Sequence, residues 1–220
     1  MEELKIAKEC IVEMMNEKYM KVFDFRYEEG RHYYNATRRP MEKLVATMEE
    51  DEMKSMLPDA VTVFLILDIK GREPVLYLAN EYRYPVGRSI LCPPAGLMDP
   101  GDADEEFPLI ATAVREIREE TGIEVKKSDR IFVVNPLAFS SPGMTDESNA
   151  LVCALVSLDS LDSLTQSGAE ITERFDGYRL IDRDEARKLL SDGRNEDGRF
   201  YSMYTWSALM YFLSDMWREE

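Results

Sequence analysis

The chain has 220 residues, 45% of them hydrophobic, and a formal net charge of -16 at pH 7. That length and apolar content suffice for a full core and suggest one domain with an appendage. The negative balance argues against nucleic-acid binding, which is driven by cation–phosphate contacts. It also means that a polyanionic substrate needs locally placed metal or arginine. The longest apolar run, residues 61–67, is too short to span a bilayer, and the mixed acids and bases of residues 1–17 carry no leader signature. Cys10, Cys92 and Cys153 show no metal-ligand spacing and suggest reduced thiols. A cytoplasmic protein with no membrane or nucleic-acid partner is expected.

In chain order, Leu4, Ala7, Ile11, Met14 and Lys18 fall at helical spacing and predict a short amphipathic helix over residues 4–18. Residues 21–27 and 31–38, joined by Glu28-Glu29-Gly30, predict a β-hairpin. Its His32, the sole histidine of the sequence, has no serine or cysteine nucleophile pattern beside it and reads as a surface residue. The acidic, methionine-rich residues 41–56 read as a helix or a connector. Strands follow over 60–69, 74–82 and 89–92, and then a helix begins near Pro108, a good first-turn residue. Further strands are expected over 130–137, 150–158 and 178–181. Asp182-x-x-Glu185 looks like a capping box that starts a helix ending at Gly193. Residues 200–217 form a strongly apolar helix candidate with Tyr204, Ala208, Tyr211 and Phe212 on one side. Strands and helices so interleaved give an α+β class, a mixed sheet sandwiched between helices. The expected division is an N-terminal helix and hairpin extension over 1–58 and a main domain over 59–220.

Residues 96–123 read GLMDPGDADEEFPLIATAVREIREETGI and carry the strongest chemical signal. On a helix, Glu116, Glu119 and Glu120 fall within an arc of roughly 100°, while Ile110, Ala113, Val114 and Ile117 fill a neighbouring arc suited to a core. Three like charges at i, i+3 and i+4 cost the helix a few tenths of a kcal/mol, roughly, per pair, so something positive should sit over that face. Most glutamate-rich helices are only solvated faces. Here, however, Gly96 opens a loop bounded by Pro94, Pro100 and Gly101, and Gly122 stands where a left-handed cap is expected. Carboxylate oxygens open to solvent suit a hard cation such as Mg²⁺.

The segment resembles the Nudix box, a loop–helix–loop signature written G-x5-E-x7-R-E-U-x-E-E-x-G-U with U aliphatic. Gly96 matches the first glycine, and Arg115, Glu116, Ile117, Glu119, Glu120, Gly122 and Ile123 match the second half. Asp102 stands at the first glutamate, and the spacer to Arg115 is twelve residues where the pattern has seven. A five-residue insertion within 103–107 accounts for this and costs little if exposed. It leaves Asp102, Glu105 or Glu106 to take the place of the first glutamate.

Outside the box, Asn80-Glu81-Tyr82-Arg83-Tyr84-Pro85 followed by Pro94-Ala95-Gly96-Leu97 is similar to the QYR or QFR and PAGL stretches of ADP-ribose pyrophosphatases. Ser141-Pro142-Gly143-Met144 is similar to their SPG loop. Many relatives carry ELPAG, with a glutamate where this chain has Cys92.

The resemblance implies a Nudix fold and hydrolysis of a nucleoside diphosphate linked to another moiety, ADP-ribose to AMP and ribose 5-phosphate first. The alternatives are a nucleotide sugar, a dinucleotide or an oxidised nucleoside diphosphate as substrate, and a module that binds ADP-ribose without cleaving it. It implies Mg²⁺, with Mn²⁺ as the alternative, held by Glu116 and Glu120, with Glu119 sharing or bridging and the Ala95 carbonyl joining. Arg115 would orient the glutamates. Arg83 would contact the diphosphate or stand as a solvated strand-end residue, with Gly96 and Leu97 lining the substrate. Glu173 or Glu170 would be the general base, Glu173 preferred because it lies closer to the next strand. The hairpin would pair two subunits into a homodimer, with Tyr34 and Arg39 meeting the nucleotide. Alternation puts Tyr33 and Tyr34 on opposite faces.

Overall fold

The computed structural model describes residues 4, 6–168 and 173–219. Among these, no helix is long and apolar enough to cross a membrane. The chain divides into two compact units, residues 1–59 with 137–149, and residues 60–136 with 150–220.

The first unit departs from the expected N-terminal helix. After a single 3₁₀ turn, Lys8–Cys10, the chain runs as strand β1, Ile11–Asn16, and pairs antiparallel with β2, Lys21–Glu28, which pairs in turn with β3, Arg31–Thr37. Ile11 lies opposite Phe25, and both are buried in a small core with Phe23 and Leu44. Leu4 and Met14, expected on the inner face of a helix, are 59% and 58% exposed. Cross-strand burial and a ladder of backbone bonds to β2 outweigh a helical periodicity only a few turns long. The β2–β3 hairpin forms as expected, with Gly30 at φ 71° in its turn. Residues 41–56 resolve into two 3₁₀ turns and the short helix α1, Glu50–Ser55.

Residues 137–149, which include strand ends, belong to this unit. The Ala36 amide donates to the Met144 carbonyl at 3.0 Å and the Val45 amide to Asp146 Oδ2 at 3.3 Å. The Tyr33 hydroxyl donates to the Gly143 carbonyl at 2.7 Å. Buried Asp24 accepts from Arg26 and shares a hydrogen bond of 2.9 Å with His32 Nδ1.

The second unit is built on a seven-stranded mixed sheet. Its elements are β4 (Ala60–Ile69), β5 (Val75–Arg83), β6 (Arg88–Cys92), β7 (Ala95–Leu97), β8 (Arg130–Phe139), β9 (Ser148–Leu158) and β10 (Phe175–Ile181), with helices α2 (Pro108–Thr121), α3 (Arg183–Asp192) and α4 (Met203–Ser214). The strand order is β10-β5-β4-β9-β8, with β6 paired to β5 and β7 to β4. β4 lies in the middle and is buried on both faces apart from Asp68. That is why it reads as an unbroken apolar run rather than an alternating one. Val61, Val63, Leu65 and Leu67 pack with Ala113 and Ile117 of α2, whereas Phe64 and Ile66 pack with Ala186, Leu189, Ala208, Leu209, Phe212 and Trp217. Helices therefore cover both faces, as the interleaved pattern predicts.

Helix ends follow the local chemistry. Pro108 opens α2 and Gly122 closes it at φ 71°. Asp182 caps α3 by accepting from the amides of Asp184 and Glu185. Glu185 does not complete the box, because its carboxylate is drawn to Arg179. On α4 the buried residues are Thr205, Ala208, Leu209 and Phe212, with Tyr211 packed against the same core, so the expected face holds at Ala208, Tyr211 and Phe212 and is widened by Thr205 and Leu209.

Candidate active site

The α2 helix carries the three acids, but two of them are buried rather than open to solvent as the sequence suggested. Glu116 and Glu120 are buried, at 4% and 2% exposure, while Glu119 lies nearer the rim. The apolar arc of the same helix is locked against β4 by Ala113 and Ile117, which fixes the rotation that turns both glutamates inward.

Arg115 ties this acidic face together. Its Nη1 donates to Glu116 Oε1 at 2.7 Å and to Glu119 Oε2 at 3.1 Å, and its Nη2 to the Leu97 carbonyl at 2.8 Å and Asp102 Oδ2 at 2.9 Å. One planar fork thus binds the box helix to β7 and to the loop before the helix. Asp102 Oδ2 also accepts from the Thr112 hydroxyl and the Asp99 amide, both at 3.0 Å. Of the three acids left open by the loop insertion, Asp102 is the one engaged with α2; Glu105 and Glu106 are exposed. The added residues form a 3₁₀ turn, Asp102–Asp104, followed by an exposed stretch through Phe107.

β7 supplies the opposite wall. The Ala95 amide donates to Glu120 Oε1 at 3.0 Å. Gly96 passes so close to Glu116 that an added Cβ would stand 1.8 Å from its Oε1, so any larger residue there displaces the Glu116 carboxylate. Leu97 turns its side chain outward, 42% exposed, and contributes its carbonyl.

Burial pushes the Glu116 carboxyl up to about 7, against the opposing pull of Arg115. Burial also raises Glu120 well above the usual carboxylate range, helped by the fields of Glu116, Glu173 and Glu81 and opposed by the Ala95 amide. Buried carboxylates within each other's field are held ionised most readily by a cation. The donor set is all oxygen, which fits a hard divalent ion. Among the described residues, no three acidic, histidine or cysteine side chains already converge on one point. Arg115 and the Ala95 amide hold the carboxylates in their present positions.

Glu173 interacts electrostatically with Glu116, Glu120 and Glu81. Next to it, the Arg174 carbonyl accepts from the Tyr82 amide at 2.8 Å. Gly168 lies against the Glu119 backbone, where a Cβ would meet the carbonyl at 2.7 Å. Glu170, the other candidate base, lies outside the described residues.

Sequence reasoning missed Glu81. It lies on β5, 8% exposed, with Oε2 2.7 Å from Arg83 Nη2 and within the electrostatic reach of Cys92. Glu81 pairs across the strands with Ile90, while Cys92 faces Ala79. The available signal was an acid in an apolar strand, on the same face as Arg83.

Of the residues expected to meet the nucleotide, Arg39 has its guanidinium committed within the first unit. Nη2 donates to Asp59 Oδ2 at 2.8 Å and to the Ser148 hydroxyl at 3.3 Å. Tyr34 is 57% exposed on β3.

Residues 56–204, which hold the mixed sheet and the glutamate helix, match the NUDIX domain. The chain belongs to the Nudix family. It is 37% identical over 95 residues to Nudix hydrolase 14, chloroplastic, of Arabidopsis thaliana, covering 40% of this chain and 29% of that one. It is 34% identical over 90 residues to the ADP-ribose pyrophosphatase of Bacillus subtilis (strain 168), covering 41% of this chain and 42% of that one. The match therefore spans less than half the length of either relative. In fold, the chain is similar to a crystal structure of an ADP compounds hydrolase, with a TM-score of 0.57 at 18% identity over 95% of this chain and 91% of that one.

Proposed function

We propose that the chain hydrolyses a nucleoside diphosphate joined to a second moiety, with ADP-ribose as first substrate and AMP and ribose 5-phosphate as products. The observation that carries this reading is the pair of buried glutamates on α2, Glu116 and Glu120, clamped by Arg115 and by the Ala95 amide beside the Gly96 gap. Similarity to a bacterial ADP-ribose pyrophosphatase supports the choice of substrate.

Glu116 and Glu120, with Glu119 and the Ala95 carbonyl, would hold Mg²⁺, with Mn²⁺ as the alternative. When bound, such an ion neutralises the diphosphate and lowers the pKa of a water. Arg115 keeps the glutamates oriented. Glu173 accepts the proton from the water that attacks phosphorus. Arg83 donates to the phosphate oxygens, and β7 at Gly96 and Leu97 lines the approach. Tyr34 takes the nucleotide base in a homodimer, where its exposed ring has a partner surface to close against.

The test is a substrate panel of ADP-ribose, nucleotide sugars and NADH with Mg²⁺ present. ADP-ribose is expected to be the best substrate and to release AMP. Saturable binding without turnover would make the chain a sensor, and faster turnover of a nucleotide sugar would move the substrate.

A further inference from the structure

Alternate residues of a strand share a face, so β5 sets Tyr77, Ala79, Glu81 and Arg83 in one row. Tyr77 and Ala79 pack with Ala113 and Ile117 of α2. Glu81 and Arg83 therefore continue that row on the α2 side of the sheet, the side that carries Glu116 and Glu120. Cys92 of β6 stands directly opposite Ala79 and, as cross-strand partners do, points to the same face. Its side chain lies within the field of the Glu81 and Arg83 heads.

A carboxylate as buried as Glu81 persists only with a partner that satisfies it, and that partner is Arg83. The dependence also runs the other way. Arg83 feels the fields of both Glu81 and Glu120, and an untethered arginine beside so many carboxylates would fold onto them. The 2.7 Å ion pair holds it at the strand instead, with the side chain still 43% exposed. Part of its planar fork is thereby left toward solvent, in the geometry that phosphate oxygens accept.

We propose that Glu81 is a positioning residue for the diphosphate. Through its ion pair it fixes the Arg83 guanidinium at the β5 wall, so that the fork meets substrate rather than the carboxylates of α2. The inference rests on the diphosphate reading above and deepens it.

Steady-state kinetics of E81Q, E81D, R83A and the double variant E81Q/R83A, with thermal unfolding of each, test it. E81Q removes the charge but keeps the shape, and is expected to raise KM about tenfold while kcat changes less than about threefold. E81D keeps the charge but withdraws it by one methylene, and should raise KM by a smaller factor. In the R83A background E81Q should add nothing, because both act through one group. Wild-type KM in E81Q or in E81D, or single effects that multiply in the double variant, would overturn the proposal. A fall in melting temperature with unchanged KM would show a merely structural ion pair and overturn it too. If the wild-type protein neither turns over nor binds any diphosphate of the panel, the functional reading fails and this inference with it. If the wild type is active and the Glu81 variants match it, only the inference fails.

Discussion

Arg115 Nη2 reaches Asp102 Oδ2 at 2.9 Å although the two residues are thirteen positions apart. The lengthened loop closes back on the box helix at the aspartate rather than at either of the glutamates that follow it. An aspartate is one methylene shorter than the glutamate of the family pattern, and it opens the 3₁₀ turn Asp102–Asp104.

Asp102→Asn is therefore expected to lower kcat/KM by about 10- to 100-fold, the usual effect of loosening a group that orients metal ligands. Glu105→Ala and Glu106→Ala should leave it within about twofold, as expected of exposed loop positions without partners in the site. A fall of similar size in either glutamate variant would shift the role away from Asp102.

Glu120→Gln should reduce activity by at least about a hundredfold while circular dichroism and melting temperature show an intact fold. The amide still accepts from Ala95, so the local hydrogen bond survives and only the charge is lost. Near-normal turnover in this variant would remove Glu120 from the cation site.

Gly96→Ala places a methyl group where Glu116 Oε1 stands, at a separation of 1.8 Å. Either the glutamate or β7 must move. Activity should fall at least as far as in Glu120→Gln, and an active Ala variant would show that Glu116 need not occupy its present position.

Arg39 and Tyr34 should separate cleanly. Arg39→Ala removes the cation beside Asp59, which keeps the Ser148 amide and hydroxyl, and should cost about 3 kcal/mol of stability, as breaking a largely buried pair does, with little change in KM. Tyr34→Ala should raise KM and leave the melting temperature alone. A raised KM in the arginine variant at unchanged stability would return Arg39 to the nucleotide.

The first unit should carry its own pH dependence. Burial pushes Asp24 up, but hydrogen bonds from His32 and Arg26 outweigh it and hold its carboxyl below the usual 3.8. A folded-state value below the unfolded one means that the unfolded chain binds more protons in that window, so stability rises with pH there. The contribution is present above about pH 4 and lost as pH falls through the lowered value. His32→Ala should depress the melting temperature above pH 4, and the gap from wild type should close at lower pH. A gap that does not depend on pH would rule out the ionised Asp24 as its source.

The parts legible in the sequence are those governed by local rules. Pro108 and Gly122 bound α2 because one lacks an amide that the first turn does not use and the other tolerates a positive φ. The hairpin around Gly30 and the strand pair at 60–69 and 75–83 follow from turn residues and apolar runs of the right length. Arg115 was legible through its place in an intact motif, and its bonds to Glu116 and Glu119 have the one- and four-residue spacing that a helix supplies.

Long-range pairing decided the rest. Residues 11–16 have a helix-like spacing, yet they become a strand because β2 offers unpaired backbone groups and Phe25 offers a buried contact. The choice of Asp102 over Glu105 and Glu106 depends on where a flexible loop meets Arg115 and Thr112, which spacing along the chain cannot fix. Glu81 and Cys92 are eleven positions apart in the sequence and neighbours only because β5 and β6 pair. The sequence by itself determined the glutamate helix, its caps and the family to which the chain belongs, since each depends on residues within one or two turns of one another. Only the tertiary structure decided which acids stand with that helix, because register and burial are properties of strands that must first find each other.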